Sequence, residues 1–133
     1  MSALVERLEI AARVLGEHPG APEVAFVRVD HSASFGPPVS MQLRTLGCPV
    51  RAVATWALAL GTSVQISELS SGWKLTATAR VDGDDVEVWD CCGLAEIVRL
   101  IPALELSLPG WTLPVLISPQ ALLDALDAAE AVA

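Results

Sequence analysis

The segment "VDHSASFG" groups Asp30, His31, Ser32 and Ser34, the residue types that nucleophilic hydrolysis uses. His31 would act there as general base toward Ser32 or Ser34, on a loop able to face a cleft. Triads are assembled by geometry across a fold, however, so a solvated loop at a strand end accounts for the same residues. No G-x-S-x-G elbow, phosphate loop or G-x-G-x-x-G turn accompanies it, and the chain has no tyrosine.

Three cysteines and two histidines supply ligand types suited to zinc: Cys48, Cys91, Cys92, His18 and His31. None falls in C-x-x-C or H-x-x-x-H spacing, and adjacent residues on a strand point their side chains to opposite faces, so Cys91 and Cys92 diverge. Small buried thiols are the expectation. Asp82, Asp84, Asp85, Glu87 and Asp90 form the densest run of oxygen ligands, but Gly83 and Val86 interrupt the order a calcium loop needs. They read as solvated acids of a turn. The sequence therefore assigns no catalytic residue, no metal and no cofactor.

Composition narrows the field further. Among 133 residues, 53% are hydrophobic and 18% charged, a globular balance for a single domain spanning 1–133. The formal charge is -8, with 16 acids against eight basic residues, and Lys74 is the single lysine. Phosphate backbones and anionic lipid are repelled by such a surface, so direct nucleic-acid or membrane binding is not expected. No apolar run is long enough to span a bilayer, and "MSALVERLEIAARVLG" lacks a basic segment followed by a purely apolar one. A cytoplasmic location is expected, and an odd number of cysteines suits reducing conditions.

Periodicity then supplies the elements. Leu4, Leu8, Ala11 and Leu15 form an apolar stripe on a first helix, with Ser2 as cap and Gly16 as stop. "EVAFVRVD" is apolar in both alternating sets, as in a strand covered on both faces, which places it near the middle of a sheet. In "VSMQLR", Val39, Met41 and Leu43 alternate with Ser40, Gln42 and Arg44. Pro49 and Gly61 bracket a second helix whose stripe is Val50, Val53, Trp56, Ala57 and Leu60. The strands "SVQISEL", "WKLTATARV" and "DVEVWDC" form a meander. "GLAEIVRLI" is a short helix stopped at Pro102, and "LELSL" an edge strand. "SPQALLDALDAAEAVA" is a last helix capped by Ser118, with Leu122, Leu123, Leu126 and Ala129 inward.

Asp82-Gly83 is a strong hairpin signal. Pairing across two turn residues sets Arg80 against Asp85, and pairing across four sets it against Glu87. Either register turns Val86 and Val88 toward Ala77, Ala79 and Val81 and puts Trp89, Glu87, Thr76, Thr78 and Lys74 on the other face. An aromatic on that polar face needs cover, from a helix of this chain or from a partner.

From "VSMQLRTL" through "VRAVATWALALG" to "GWKLTATARVDGDDVEVWD", the order of strand, helix and three strands resembles small uncharacterised proteins of high-GC actinobacteria and their phages or mobile elements. The resemblance implies no activity and no functional residue. The sequence as a whole predicts an α+β domain, a mostly antiparallel sheet of about five strands with packed helices, in the order α-β-β-α-β-β-β-α-α. It predicts a non-catalytic protein-interaction domain, binding a protein partner or a second copy as a homo-oligomer through its uncovered sheet face or last helix. The candidate surface is Asp82, Asp84, Asp85, Glu87 and Trp89. Two alternatives are the small hydrolase using His31 and an acidic antagonist of a basic or nucleic-acid-binding protein. The antagonist requires Asp82, Asp84, Asp85 and Glu87 to share one face with Asp124, Asp127 and Glu130.

Overall fold

The computed structural model describes residues 3–31, 36–44 and 47–132. In chain order the elements are α1 (Ala3–Glu17), β1 (Val24–Val29), β2 (Val39–Leu43), α2 (Pro49–Leu60), β3 (Val64–Leu69), β4 (Gly72–Val81), β5 (Asp84–Gly93), α3 (Leu94–Ser107), β6 (Val115–Ile117) and α4 (Pro119–Val132). The α+β class follows the sequence. The sheet differs from the expected one: it has six strands, ordered β1-β2-β5-β4-β3-β6, and it is mixed, because β2 runs parallel to β5.

That parallel pair arises from α2. A strand followed by a helix that packs back on the sheet returns the chain in the same direction, and the β3-β4-β5 meander then places β5 beside β2. Valines, leucines and alanines of one alternating set fill the interface with the helices: Val39 and Met41, Val64 and Ile66, Leu75 and Ala77, Val86 and Val88 are all fully buried. Buried residues of the four helices join the same cluster, so the helices form one layer on one sheet face. In α2, Val50, Val53, Trp56 and Ala57 point inward as expected, Pro49 opens the helix, and Gly61 closes it at φ 69°.

Several expectations fail for identifiable reasons. Proline does not stop α3, which runs through Pro102; Val98 and Pro102 both lie on its solvent side, where water can take the carbonyl that loses its donor. "LELSL" is therefore helix, and the last strand is Val115–Ile117. The first helix is rotated from the predicted stripe. Ile10, Ala11 and Val14 are buried, whereas Leu4, Leu8 and Leu15 are exposed. The rotation follows from Arg7, which turns inward to donate to the Asp30 carbonyl (2.8 Å) and to Asp84 (3.2 Å). This helix continues through Gly16 to Glu17, and Ser2 lies outside the described residues.

β1, read as a central strand, is the sheet's edge. It pairs with β2 alone and leaves Phe26 69% and Val27 43% exposed. Among the described residues, no helix is long and apolar enough to cross a membrane.

Candidate functional site

The β4–β5 hairpin closes through Asp82 (φ 50°) and Gly83 (φ 86°), both in the left-handed region that a two-residue turn of this hand requires. The two-residue register holds: Arg80 is opposite Asp85, and Thr76 is opposite Trp89. Parity then divides the predicted surface. Asp84 shares the face of Val86 and Val88, toward the helix layer, while Asp85, Glu87 and Trp89 face the other way.

Each residue of that surface already has a partner within the chain. Arg13 binds Asp82 and Arg7 binds Asp84, tying α1 to the turn. Asp85 lies 3.6 Å from Arg80, a cross-strand pair of exposed side chains and hence of small energetic weight. Glu87 is 8% exposed and accepts a hydrogen bond from Ser40 Oγ at 2.7 Å. Trp89 Nε1 donates to the same Ser40 oxygen at 3.1 Å, and Lys74 Nζ stands 4.7 Å from the centre of its ring. Indole, hydroxyl and carboxylate thus form a donor chain across the β2–β5 pair, with the cation of Lys74 over the indole face. Neighbours on the sheet, rather than a helix, cover Trp89.

Ser40 is the residue sequence reasoning missed. Its alternation with Val39 and Met41 places it on the polar face, but its role depends on β2 pairing with β5, where Ser40 is opposite Glu87. No local signal contains that pairing.

The acids required for charge mimicry are dispersed. Asp82 and Asp84 border a groove with Glu6, Glu9 and Arg13 beside α1. Asp85 and Glu87 lie on the opposite sheet face. On α4, Asp127 and Glu130 are each 3.0 Å from Arg51, and Asp124 accepts from Gln120. Arg51 and Arg13 hold their protons more firmly than usual, chiefly through hydrogen bonds to Asp127 and Asp82 respectively.

His31 is exposed, and Ser32 and Ser34 lie outside the described residues. His18 packs edge-on against Trp56 with ring centres 5.7 Å apart. Among the described residues, no group of three or more His, Cys, Asp or Glu side chains is placed to hold a metal ion.

The adjacent cysteines diverge as strand parity requires: Cys91 is exposed and Cys92 is buried. Burial, reinforced by nearby Glu96, pushes the Cys92 thiol up to about 12, whereas an unfolded thiol titrates near 8.5. Between those values the folded chain keeps a proton that the unfolded chain releases. The resulting stability is fully present below about pH 8.5 and is lost as pH rises toward 12. Urea unfolding at about pH 8 and about pH 10.5 is expected to show a loss of stability that is smaller in Cys92→Ala. Equal losses in both proteins would contradict this assignment.

No protein-family model, no curated protein and no solved structure matches the chain.

Proposed function

We propose that this chain is a non-catalytic interaction domain that assembles with a second copy of itself through the edge of β1. The observation that carries the reading is a mismatch between pattern and position. "EVAFVRVD" has the two apolar faces of an interior strand, yet β1 is an edge strand. Edge strands that stay single are usually short, charged, bulged or interrupted by proline; β1 has six residues, one charge and no proline, and its register irregularity lies between Val24 and Phe26, leaving Phe26–Val29 in regular pairing.

Its backbone supports the same reading. Asp30 N–H donates to Pro38 O at 2.8 Å, so by alternation Arg28 and Phe26 also turn their amides toward β2. Val27 and Val29 are left with outward N–H and C=O groups. Antiparallel pairing of two copies about Val27 sets the two Val27 residues opposite each other, and Phe26 of each copy opposite Arg28 of the other. Both contacts are favourable, and the second is of the cation–aromatic kind. α1, which packs over β1 and β2, also carries the exposed Leu4 and Leu8. A two-fold contact of this kind is closed, so it ends at a dimer rather than a fibre.

Charge mimicry of a nucleic acid draws less support, because the acids it needs lie on separate faces and are engaged within the chain, Asp82, Asp84, Asp85, Asp127 and Glu130 by arginines, Glu87 by Ser40 and Asp124 by Gln120. The two readings also differ in their response to salt. Self-association of a chain of charge -8 works against long-range repulsion and strengthens as salt screens it, whereas an acidic antagonist binds its basic partner more weakly.

Light scattering across a concentration series is expected to give twice the monomer mass at the upper end, with the transition moving to lower concentration in higher salt. Val27→Lys, which places a charge where the two strands would meet, is expected to stay folded and monomeric throughout. A monomer at every concentration, or a Val27→Lys protein that dimerises like the parent, would contradict the proposal.

A further inference from the structure

The larger apolar residues of α1 lie on its solvent side: Leu4, Leu8 and Leu15 are exposed, while Ile10, Ala11 and Val14 pack inward. The direction of that leucine stripe follows from the contacts of α1. Arg7, early in the helix, donates to the carbonyl of Asp30 just past the end of β1, so α1 runs antiparallel to β1, and it packs on β1 and β2. Glu6, Glu9 and Arg13 border the groove shared with Asp82 and Asp84, so that flank of α1 faces the β4–β5 turn. The turn leads into β5, which lies on the far side of β2 from β1. At about 100° per residue, Leu4, Leu8 and Leu15 fall on the opposite flank. They point outward, past β1 and its free edge.

β1 shows the same opening from below. Val27 is opposite Met41, which is fully buried under the helix layer, yet Val27 itself is 43% exposed. The helix layer therefore stops short of the outer side of β1, and Val27 and the leucine stripe of α1 face the same open space.

We infer that α1 pairs antiparallel with α1 of the second copy, covering the two Val27 residues with a helix–helix seam of Leu8 and Leu15 from each chain. The inference rests on the β1-edge reading and names the surface that completes that interface. Spacing supports it. Neighbouring strands lie about 4.8 Å apart, so a helix centred over β1 and β2 stands about 4.8 Å from the two-fold axis between β1 and its copy. The two α1 axes are then roughly 10 Å apart, within the roughly 8–10 Å at which helices pack. Area supports it as well. A six-residue edge is roughly 20 Å long and one strand deep, which falls short of the roughly 800 Å² per partner of a stable interface, and leucines facing the same side supply what it lacks. The charged flank of α1 is turned away from the seam, which keeps Glu6 and Glu9 of the two chains apart.

The test uses an equimolar mixture of isotope-labelled and unlabelled full chains. At a concentration where light scattering gives the dimer, isotope-filtered NOE spectra are expected to show contacts from the methyl groups of Leu8 or Leu15 to α1 of the other chain. Leu8→Gln combined with Leu15→Gln, both at exposed positions, is expected to weaken dimerisation about tenfold or more and to leave the melting temperature of the dilute monomer close to that of the parent. A dimer with protected Val27 and Val29 amides but no intermolecular contact from α1 overturns the helix pairing and leaves the edge pairing standing. A folded double variant that dimerises like the parent does the same. Contacts between the two α1 helices in a dimer whose Val27 and Val29 amides exchange freely overturn the edge reading and the spacing built on it, and a monomer at every concentration overturns both. The filtered spectrum is recorded on the parent protein, so its outcome does not depend on any variant folding.

Discussion

Replacing Trp56 by alanine is expected to remove about 3–5 kcal/mol of folding stability, the cost of emptying an aromatic site in a close-packed core. Trp56 is 1% exposed on the inner face of α2. Its ring also meets His18 edge-on, and its Nε1 donates to the Pro22 carbonyl at 2.8 Å, so it ties the α1–β1 connection to the core. Folding free energies of domains this size are roughly 5–15 kcal/mol, and a loss of that magnitude lowers the melting temperature by roughly 10–20 °C. Trp56→Phe keeps most of the apolar body and loses the hydrogen bond, and should retain most of the stability. Calorimetric melting separates the two cases, and equal melting temperatures for Trp56→Ala and the parent would refute the placement.

Gly72→Ala is expected to be similarly severe for a different reason. A Cβ at Gly72 would stand 2.2 Å from the carbonyl oxygen of Cys92, a backbone atom of the neighbouring strand that no rotamer change can move. Gly72 pairs with Gly93 where β4 and β5 begin and end, so relief requires the two strands to part there. Such overpacking costs typically 1–3 kcal/mol and more when backbone must shift. Parting would also displace Trp73 from its edge-on contact with Trp111, whose ring centre is 5.5 Å away. Urea unfolding of Gly72→Ala should show the lost stability together with altered tryptophan emission in the folded baseline. Gly47→Ala, where an added Cβ meets nothing within 4 Å, is the matched control and should unfold like the parent.

Much of this architecture was legible in the chain because its signals are local. Alternation in "WKLTATARV" fixed which face of β4 is buried, Asp82-Gly83 fixed the hairpin, and Pro49 with Gly61 bracketed α2 at both ends. What escaped depends on distant partners. The inward turn of Arg7 rotates α1 away from its leucine stripe, and only Asp84 and the Asp30 carbonyl, remote in sequence, explain it. The parallel β2–β5 pair creates the chain from Trp89 through Ser40 to Glu87, which no run of adjacent residues encodes. The candidate surface was likewise legible as a cluster but not as two faces: strand parity separates Asp84 from Asp85, and α1 supplies arginines to Asp82 and Asp84. The reading of β1 is the instructive failure. Its composition describes a covered strand and its position in one chain is an edge; the proposed second copy would reconcile the two.

Amide hydrogen exchange at Val27 and Val29 tests that reconciliation most directly, because these are the groups β1 turns away from β2. Their protection is expected to rise with protein concentration in the full chain and to stay low in Val27→Lys at Val29, while the interior amides of β4 remain protected throughout. Val27 and Val29 amides that exchange freely at every concentration at which the protein is folded would contradict assembly through the β1 edge.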